Sequence, residues 1–380
     1  MTLAKKKVLH IVAWYPHKGN TLDGVWIYRH IKSLKPYCIN SVLHIQVNPS
    51  GRFRLYRNNE SDLRQIIVDI PFKSWRVAEI LTTLLVVFAL KLTSFGRKID
   101  LINVHIAYPL LIHYHLWKRI VPNPLVVTEH WSGYHFNFGI KDDKALRRIR
   151  RIFFQEIPVI AVSHALLRDI VKFSGNQSIQ GYVTPNVVNA EIFTKKKDVV
   201  DSAGRRRFFM VSYWKWPKDP FTLIEAFREL VASRPQCVLR LGGHGPQMEQ
   251  ILHTIEKYSL THQVILLGPL DSHAISAELN EADAFLHSSA YETFSVVTAE
   301  ALSCGTPVIV TAKGGIRELV HSGNGVLVEE NTVTCWLDAF QRFELKTFDR
   351  DRISAEARGI FSEDGVGDKY WSVLKNELGQ

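Results

Sequence analysis

Residues Ala284–Val310 read AFLHSSAYETFSVVTAEALSCGTPVIV. Two short apolar runs, Ala284-Phe285-Leu286 and Pro307-Val308-Ile309-Val310, flank Val296–Ser303, which reads as a helix. Continuous apolar runs of this length suit strands buried on both faces, and a helix between two of them makes a βαβ unit with a parallel sheet. The rhythm continues outward. Phe208-Phe209-Met210-Val211, Val238-Leu239-Arg240-Leu241 and Val264-Ile265-Leu266-Leu267 precede it, with helix-like Thr222–Ser233 and Glu249–Tyr258 between them. An earlier series comprises Val8–Val12, Asp100–Val104, Leu125–Thr128 and Val159–Val162, with helical periodicity over Val77–Leu92 and Ala165–Phe173.

The polar stretch Lys195–Arg207 separates the two series and reads as a linker. The chain is therefore expected to be α/β, with two Rossmann-like domains whose parallel sheets face across a cleft. Residues 1–190 would form the first domain, 191–207 the linker and 208–361 the second. Open α/β sheets bind ligands beyond the carboxyl ends of their strands, so the chemistry is expected there. A length of 380 residues, too long for one ordinary core, agrees. With 46% hydrophobic and 22% charged residues, disordered and low-complexity classes are excluded.

Charge is unevenly spread. Residues 1–190 carry 26 Lys and Arg against 11 Asp and Glu, a net of +15; residues 191–380 carry 21 against 26, a net of −5. A basic first half suits an anionic partner: nucleic acid, lipid or a phosphorylated substrate. Cys38, Cys237, Cys304 and Cys335 form no C-x-x-C pair, which fits a reducing compartment. Lys5-Lys6-Lys7 before Val8–Tyr15 imitates a signal peptide, but Pro16, His17 and Lys18 follow where a cleavage site should be, so a first β-strand is expected. The longest apolar stretch, Ile80–Leu90, is too short to span a bilayer, which takes about 20 residues.

Glu292 and Glu300 stand eight apart around the start of the helix at Val296. The loop Glu292–Ser295 delivers backbone N–H groups to a helix N-terminus, a ready anion site, and Glu300 lies about one turn inside. A carboxylate accepts paired hydroxyls, as on a ribose or hexose. One ligand with hydroxyl, phosphate and hydroxyl parts, a nucleotide sugar, spans such a segment. Two solvated glutamates at the ends of a helix meet the bare spacing equally.

The wider segment resembles the signature of retaining GT-B glycosyltransferases of the group 1 type, glycosyltransferase family 4. Ser289, Glu292-Thr293-Phe294, Glu300-Ala301 and Cys304-Gly305-Thr306-Pro307-Val308 follow its order, continued by Gly314-Gly315-Ile316-Arg317-Glu318 and Gly323–Val328. Pro185-Asn186-Val187-Val188 with Phe193 is similar to the passage that closes the family's first domain, with Val187 where glycine is usual. Trp14-Tyr15-Pro16 with Gly24-Val25, Thr128-Glu129-His130, Lys218-Asp219-Pro220 with Leu223–Phe227, and Gly242–Pro246 also fall in order. The tail 362–380 resembles a last helix that crosses back to complete the first domain.

The resemblance implies the roles. Glu292 and His130 are the candidate catalytic residues, bonding donor-sugar hydroxyls and facing the sugar. Gly24, Lys218, Thr293, Phe294, Ser295, Val296 and Glu300 are the candidate donor-binding residues: Gly24 by close approach of its loop, Lys218 as a point charge on the diphosphate, residues 293–296 through backbone groups, and Glu300 on the ribose. No cofactor and no essential metal is expected. The family's usual arginine is Tyr213 here, and Lys215 is the nearest substitute cation. The implied function is retaining transfer of a sugar from a nucleotide-diphosphate sugar to a lipid-linked or polysaccharide acceptor in cell-surface glycan synthesis. Alternatives are a sugar-nucleotide epimerase of the same fold and a basic nucleic-acid-binding protein. The basic half lacks interleaved aromatics, so no nucleic acid is expected.

Leu146, Ile149, Ile152 and Phe153 fall at helical spacing among Arg147, Arg148, Arg150 and Arg151; such a helix suits docking on an anionic membrane, and equally an apolar stripe packed on the sheet with the arginines solvating it. The protein is expected in the cytoplasm, peripheral on the inner face of the membrane. Asp349-Arg350-Asp351 is read as a solvated helix face, and His113-Tyr114-His115 lacks a third metal ligand. There is no G-x-G-x-x-G after the first strand, no Walker motif and no G-x-S-x-G.

Overall fold

In the computed structural model, which describes residues 5–16, 23–47, 52–60, 63–71, 75–92, 99–119, 121–196 and 206–379, the apolar runs are strands and the segments between them helices. They divide into two compact units, residues 1–187 with 366–380, and residues 188–365. Residues 197–205 of the expected linker lie outside the described residues.

The first unit runs β1 (Lys7–Val12), α1 (Val25–Ser33), β2 (Ile39–Val47), β3 (Arg54–Glu60), β4 (Leu63–Ile70), α2 (Trp75–Leu92), β5 (Leu101–His105), α3 (Ala107–Leu110), α4 (Tyr114–Trp117), β6 (Leu125–Glu129), α5 (Asp143–Arg150), β7 (Val159–Ala161), α6 (His164–Ser174) and β8 (Gly181–Val183). The sheet order is β3-β4-β2-β1-β5-β6-β7-β8. Every pairing is parallel except β3 with β4. Strands β5 and β6 are buried along their whole length, as helices on both faces require.

The second unit runs β9 (Arg207–Tyr213), α7 (Pro220–Ser233), β10 (Val238–His244), α8 (Met248–Lys257), β11 (Val264–Gly268), α9 (Ser272–Glu281), β12 (Ala284–His287), α10 (Val296–Ser303), β13 (Val308–Thr311), β14 (Gly325–Val328), α11 (Val333–Glu344) and α12 (Arg350–Phe361). Its sheet is wholly parallel, ordered β11-β10-β9-β12-β13-β14. The order reverses between β9 and β12, the switch point at which doubly wound sheets open a crevice. Phe208, Phe227, Leu286, Trp336 and Phe340 anchor the core, and Asp219 caps α7 by accepting from Phe221 N–H.

The last helix, α13 (Glu363–Glu377), adds Tyr370, Val373 and Leu374 to the core of the first unit beside Val8, Leu101, Val126 and Ile160. Thr128 Oγ1 lies 2.7 Å from the Tyr370 hydroxyl, which also takes a hydrogen bond from Asn103.

The apolar stripe over residues 146–153 is not available to a membrane. Leu146, Ile149, Ile152 and Phe153 are all buried, and Phe153 stands edge-on to Tyr134 at 5.5 Å. The stripe fills the unit's own core and the arginines solvate its outer side. The exposed apolar face lies on α2 instead, where Val77, Ile80, Leu84 and Phe88 point to solvent while Glu79, Thr82, Thr83 and Val86 point inward. Glu79 is held there by Arg148, at 2.9 Å.

Four of the buried imidazoles of the first unit lie close together. His105 Nε2 lies 3.1 Å from His10 Nδ1, and His10 Nε2 donates to Asn40 Oδ1 at 3.0 Å. His30 Nε2 donates to the Pro185 carbonyl at 2.8 Å, and the His130 ring lies 5.1 Å from His30 and 5.8 Å from His105. Burial holds His10 and His30 near a pKa of about 4, and pushes His105 and His130 well below the usual value. Above pH 6.5 these rings are neutral whether the chain is folded or not. Between about 6.5 and 4 the unfolded chain takes up protons that the folded unit refuses, so stability falls as pH falls. His10 and His30 each account for on the order of 3 kcal/mol at pH 4. Glu129 has the opposite slope: burial raises its pKa to about 7, against hydrogen bonds from Tyr134 and Ala107 N–H. One carboxyl opposes four imidazoles, so thermal melting followed from pH 7 to 4.5 should show a steep net loss for the first unit. A flat melting temperature across that window would contradict the account.

Candidate functional site

The loop after β9 and the loop after β12 leave neighbouring strands at the switch point and are tied by their backbones. Ala290 N–H donates to the Pro217 carbonyl (2.8 Å) and Asp219 N–H to the Ser288 carbonyl (3.2 Å). Thr311 Oγ1, at the end of β13, accepts from Ser289 N–H and donates to the Ser289 carbonyl. Asn331 adds a side-chain brace: its Nδ2 donates to Asp219 Oδ2 at 2.6 Å, and its Oδ1 accepts from Ser288 Oγ and Trp336 Nε1.

This frame brings Lys218 and Glu292 together. The Lys218 ammonium is paired with Glu292 Oε1, and His287 Nε2, at the end of β12, donates to the same oxygen at 2.8 Å. Lys218 Nζ is 3.5 Å from His287 Nε2. Burial alone would raise the Glu292 pKa; the Lys218 charge and the His287 hydrogen bond overcome it and hold the carboxyl at about 2. Burial, reinforced by the Lys218 charge, lowers that of His287. The group is thus a carboxylate, an ammonium and a neutral imidazole whose proton sits on Nε2.

Glycine at 314 is required by this geometry. Gly314 has φ 62°, and a Cβ there would stand 2.1 Å from the Glu292 carbonyl oxygen. Gly315 N–H donates to that same carbonyl at 2.8 Å. The pair fixes the backbone of Glu292 from below.

Thr293 and Val296 are partly exposed, whereas Phe294 is buried edge-on to Phe361 at 5.7 Å and anchors the loop. Ser295 adopts φ 72°, unusual for a residue with a side chain, and its hydroxyl meets Thr298 Oγ1 at 2.8 Å. No side chain caps the N-terminus of α10. Glu300 lies one turn in, buried, with its carbonyl accepting from Cys304 N–H. Tyr213, in place of the expected arginine, is exposed and edge-on to His244, and Lys215 is exposed beside it.

Gly24 and His130 belong to the first unit. At φ 58°, a Cβ on Gly24 would meet the Trp14 carbonyl oxygen at 2.4 Å, so its own chain already demands the glycine. His130 Nδ1 donates to Asn186 Oδ1 at 3.2 Å, which leaves Nε2 as the bare acceptor, buried and with no partner among the described residues. Glu129 beside it holds the turn by accepting from Ala107 N–H at 2.6 Å.

His287 was not among the residues singled out from the sequence. A lone histidine in the strand before SSAYETF carries no motif; its place at the carboxyl end of the switch-point strand was the available signal.

Residues 191–359 match the family model described as glycosyl transferases group 1. N-acetyl-alpha-D-glucosaminyl L-malate synthase of Bacillus anthracis is 27% identical over 245 residues, covering 63% of this chain and 63% of that protein. D-inositol 3-phosphate glycosyltransferase of Corynebacterium jeikeium is 26% identical over 267 residues, covering 62% of this chain and 64% of that protein. The matches thus span less than two thirds of either relative. Among solved structures, Anabaena HepE in complex with UDP and glucose superposes with a TM-score of 0.70 at 18% identity, over 98% of this chain and 99% of that one. That likeness establishes the GT-B type of fold.

Gly314→Ala should lower stability by about 1–3 kcal/mol, through strain at positive φ and displacement of the Glu292 carbonyl. Denaturant unfolding checks this; a change below about 0.5 kcal/mol would show that the backbone relaxes freely.

Proposed function

We propose, from a chain whose residues 191–359 match the family model of group 1 glycosyl transferases, that the protein moves a sugar from a nucleotide-diphosphate sugar to an acceptor hydroxyl with retention of anomeric configuration. The observation that carries the reading is the Lys218–Glu292–His287 group at the switch point, beside the uncapped start of α10. In this reading the diphosphate lies against the α10 N–H groups and the Lys218 ammonium, which stabilise the charge that develops on the leaving phosphate. Glu292, kept ionised, accepts hydrogen bonds from donor-sugar hydroxyls, and His287 keeps its orientation. Glu300 takes the ribose hydroxyls. The C1–O bond to phosphate breaks while the acceptor oxygen bonds C1 on the same face, and the acceptor's proton passes to the leaving phosphate oxygen. Positioning then supplies most of the acceleration. His130, held neutral by burial, offers Nε2 as a hydrogen-bond acceptor and not as an acid. The diphosphate charge is met by protein groups, so no metal is given a role. HepE was captured with UDP, which makes UDP-sugars the first donors to try.

We expect Glu292→Gln and Lys218→Ala each to slow transfer at least about 100-fold, near 3 kcal/mol of transition-state stabilisation. Nucleoside diphosphate release with a matched donor and acceptor measures this. Rates within a few-fold of wild type would remove both residues from the mechanism.

For the acceptor we favour a lipid-linked one, with the protein peripheral on the inner face of a membrane. No helix among the described residues is long and apolar enough to cross a bilayer. The support is the exposed α2 row Val77, Ile80, Leu84 and Phe88, joined through the Glu79–Arg148 pair to the arginines of α5. Apolar side chains next to a basic surface suit an anionic interface. The free cysteines suit a reducing compartment. Flotation with anionic vesicles should recover the wild-type protein in a salt-sensitive manner, and Ile80→Asp with Leu84→Asp should reduce recovery at least about tenfold. Equal recovery of the two proteins would exclude α2 as the contact.

A further inference from the structure

The first unit holds a cavity of about 450 Å³ between the turn at residues 111–115 and the end of α5. Its basic walls are His113, His115, Arg148 and Arg151; Leu111, Ile112, Tyr114, Ile152 and Gln155 line the remainder, and no acidic residue is among the described lining. Arg148 is already balanced by Glu79 at 2.9 Å, and His113 Nε2 stands 3.9 Å from the same carboxylate. Arg151 has no carboxylate partner among the described residues. Three residues apart along the helical course of residues 143–154, Arg148 and Arg151 share one side. A guanidinium presents a planar fork of donors that matches phosphate oxygens, and two imidazoles add donors at short range.

We propose that this cavity binds a phosphate group, with Arg151 as its uncompensated cation and Arg148, His113 and His115 completing the donor set. The site is built wholly from the first unit and shares no residue with the Lys218 group, so it does not depend on the donor reading. The phosphate comes from a soluble phosphoester or diphosphate, or from the headgroup of a phospholipid. Leu116 and Phe154, adjoining the lining residues His115 and Gln155, are exposed and apolar, which a lipid would use.

Binding of inorganic pyrophosphate, followed by calorimetry in a Lys218→Ala background, tests the site without interference from the second unit. Adding Arg151→Glu is expected to weaken binding at least tenfold, and His115→Ala several-fold. Arg151 is exposed, so the fold should persist; if Arg151→Glu melts early, Arg151→Gln repeats the measurement. Flotation with phosphatidic acid vesicles, with and without pyrophosphate, separates the sources. Recovery that pyrophosphate and Arg151→Glu both abolish assigns a lipid headgroup; pyrophosphate binding without vesicle recovery assigns a soluble phosphoester. Absence of binding in both arms, or binding unchanged by Arg151→Glu and Arg151→Gln, overturns the proposal. The donor reading fails separately, on Glu292→Gln and Lys218→Ala.

Discussion

A carboxylate that is mostly out of water has to be compensated, and the second unit is organised around that requirement at Glu292. An unpaired buried charge costs several kcal/mol, so the loop after β12 can hold its course only with Lys218 and His287 in place. Lys218 in turn comes from the loop after β9. The two loops must be locked together, and Thr311, Asn331 and the Pro217–Ala290 hydrogen bond do so. Even the glycine at 314 follows, because the Glu292 carbonyl leaves no room for a side chain. The group proposed to meet hydroxyls and phosphate is therefore also a junction of the fold.

The first unit solves the same dielectric problem in the opposite way. Its clustered buried histidines and Glu129 are neutralised instead of paired. His10 donates a hydrogen bond to Asn40 and His30 one to the Pro185 carbonyl, His10 and His105 share another, and Glu129 is pushed towards its protonated form. Neutral imidazoles can accept and donate without the cost of a buried charge, which suits a residue such as His130 whose bare Nε2 is kept for another partner.

Much of this was legible from the residues. The apolar runs marked β1, β5–β7 and β9–β13 but not β2, β4, β8 or β14, and the Ser288–Pro307 segment, with Lys218 in its own block, marked two of the three side chains that meet. What escaped did so for physical reasons. Arg54–Glu60 reads RLYRNNE, with almost no apolar residues, because β3 is an edge strand with one neighbour. Helical spacing in residues 146–153 revealed an apolar stripe but not that the protein itself covers it. On α2 the amphipathic sense is reversed, with Glu79 inside and Leu84 outside, so that periodicity and composition could not say which side faces water. His287 had no motif, only a position.

The return of α13 to the first unit has a consequence for biosynthesis. Tyr370 and Leu374 pack against Val8, Leu101 and Val126, so a core begun by β1 is closed by α13. The second unit, in contrast, is one continuous stretch, 188–365, and all of its sequence has been made before that closure. Domains fold as units during synthesis. The part translated first must therefore wait, with its central strands uncovered on the side that α13 will fill, until the part translated later is complete.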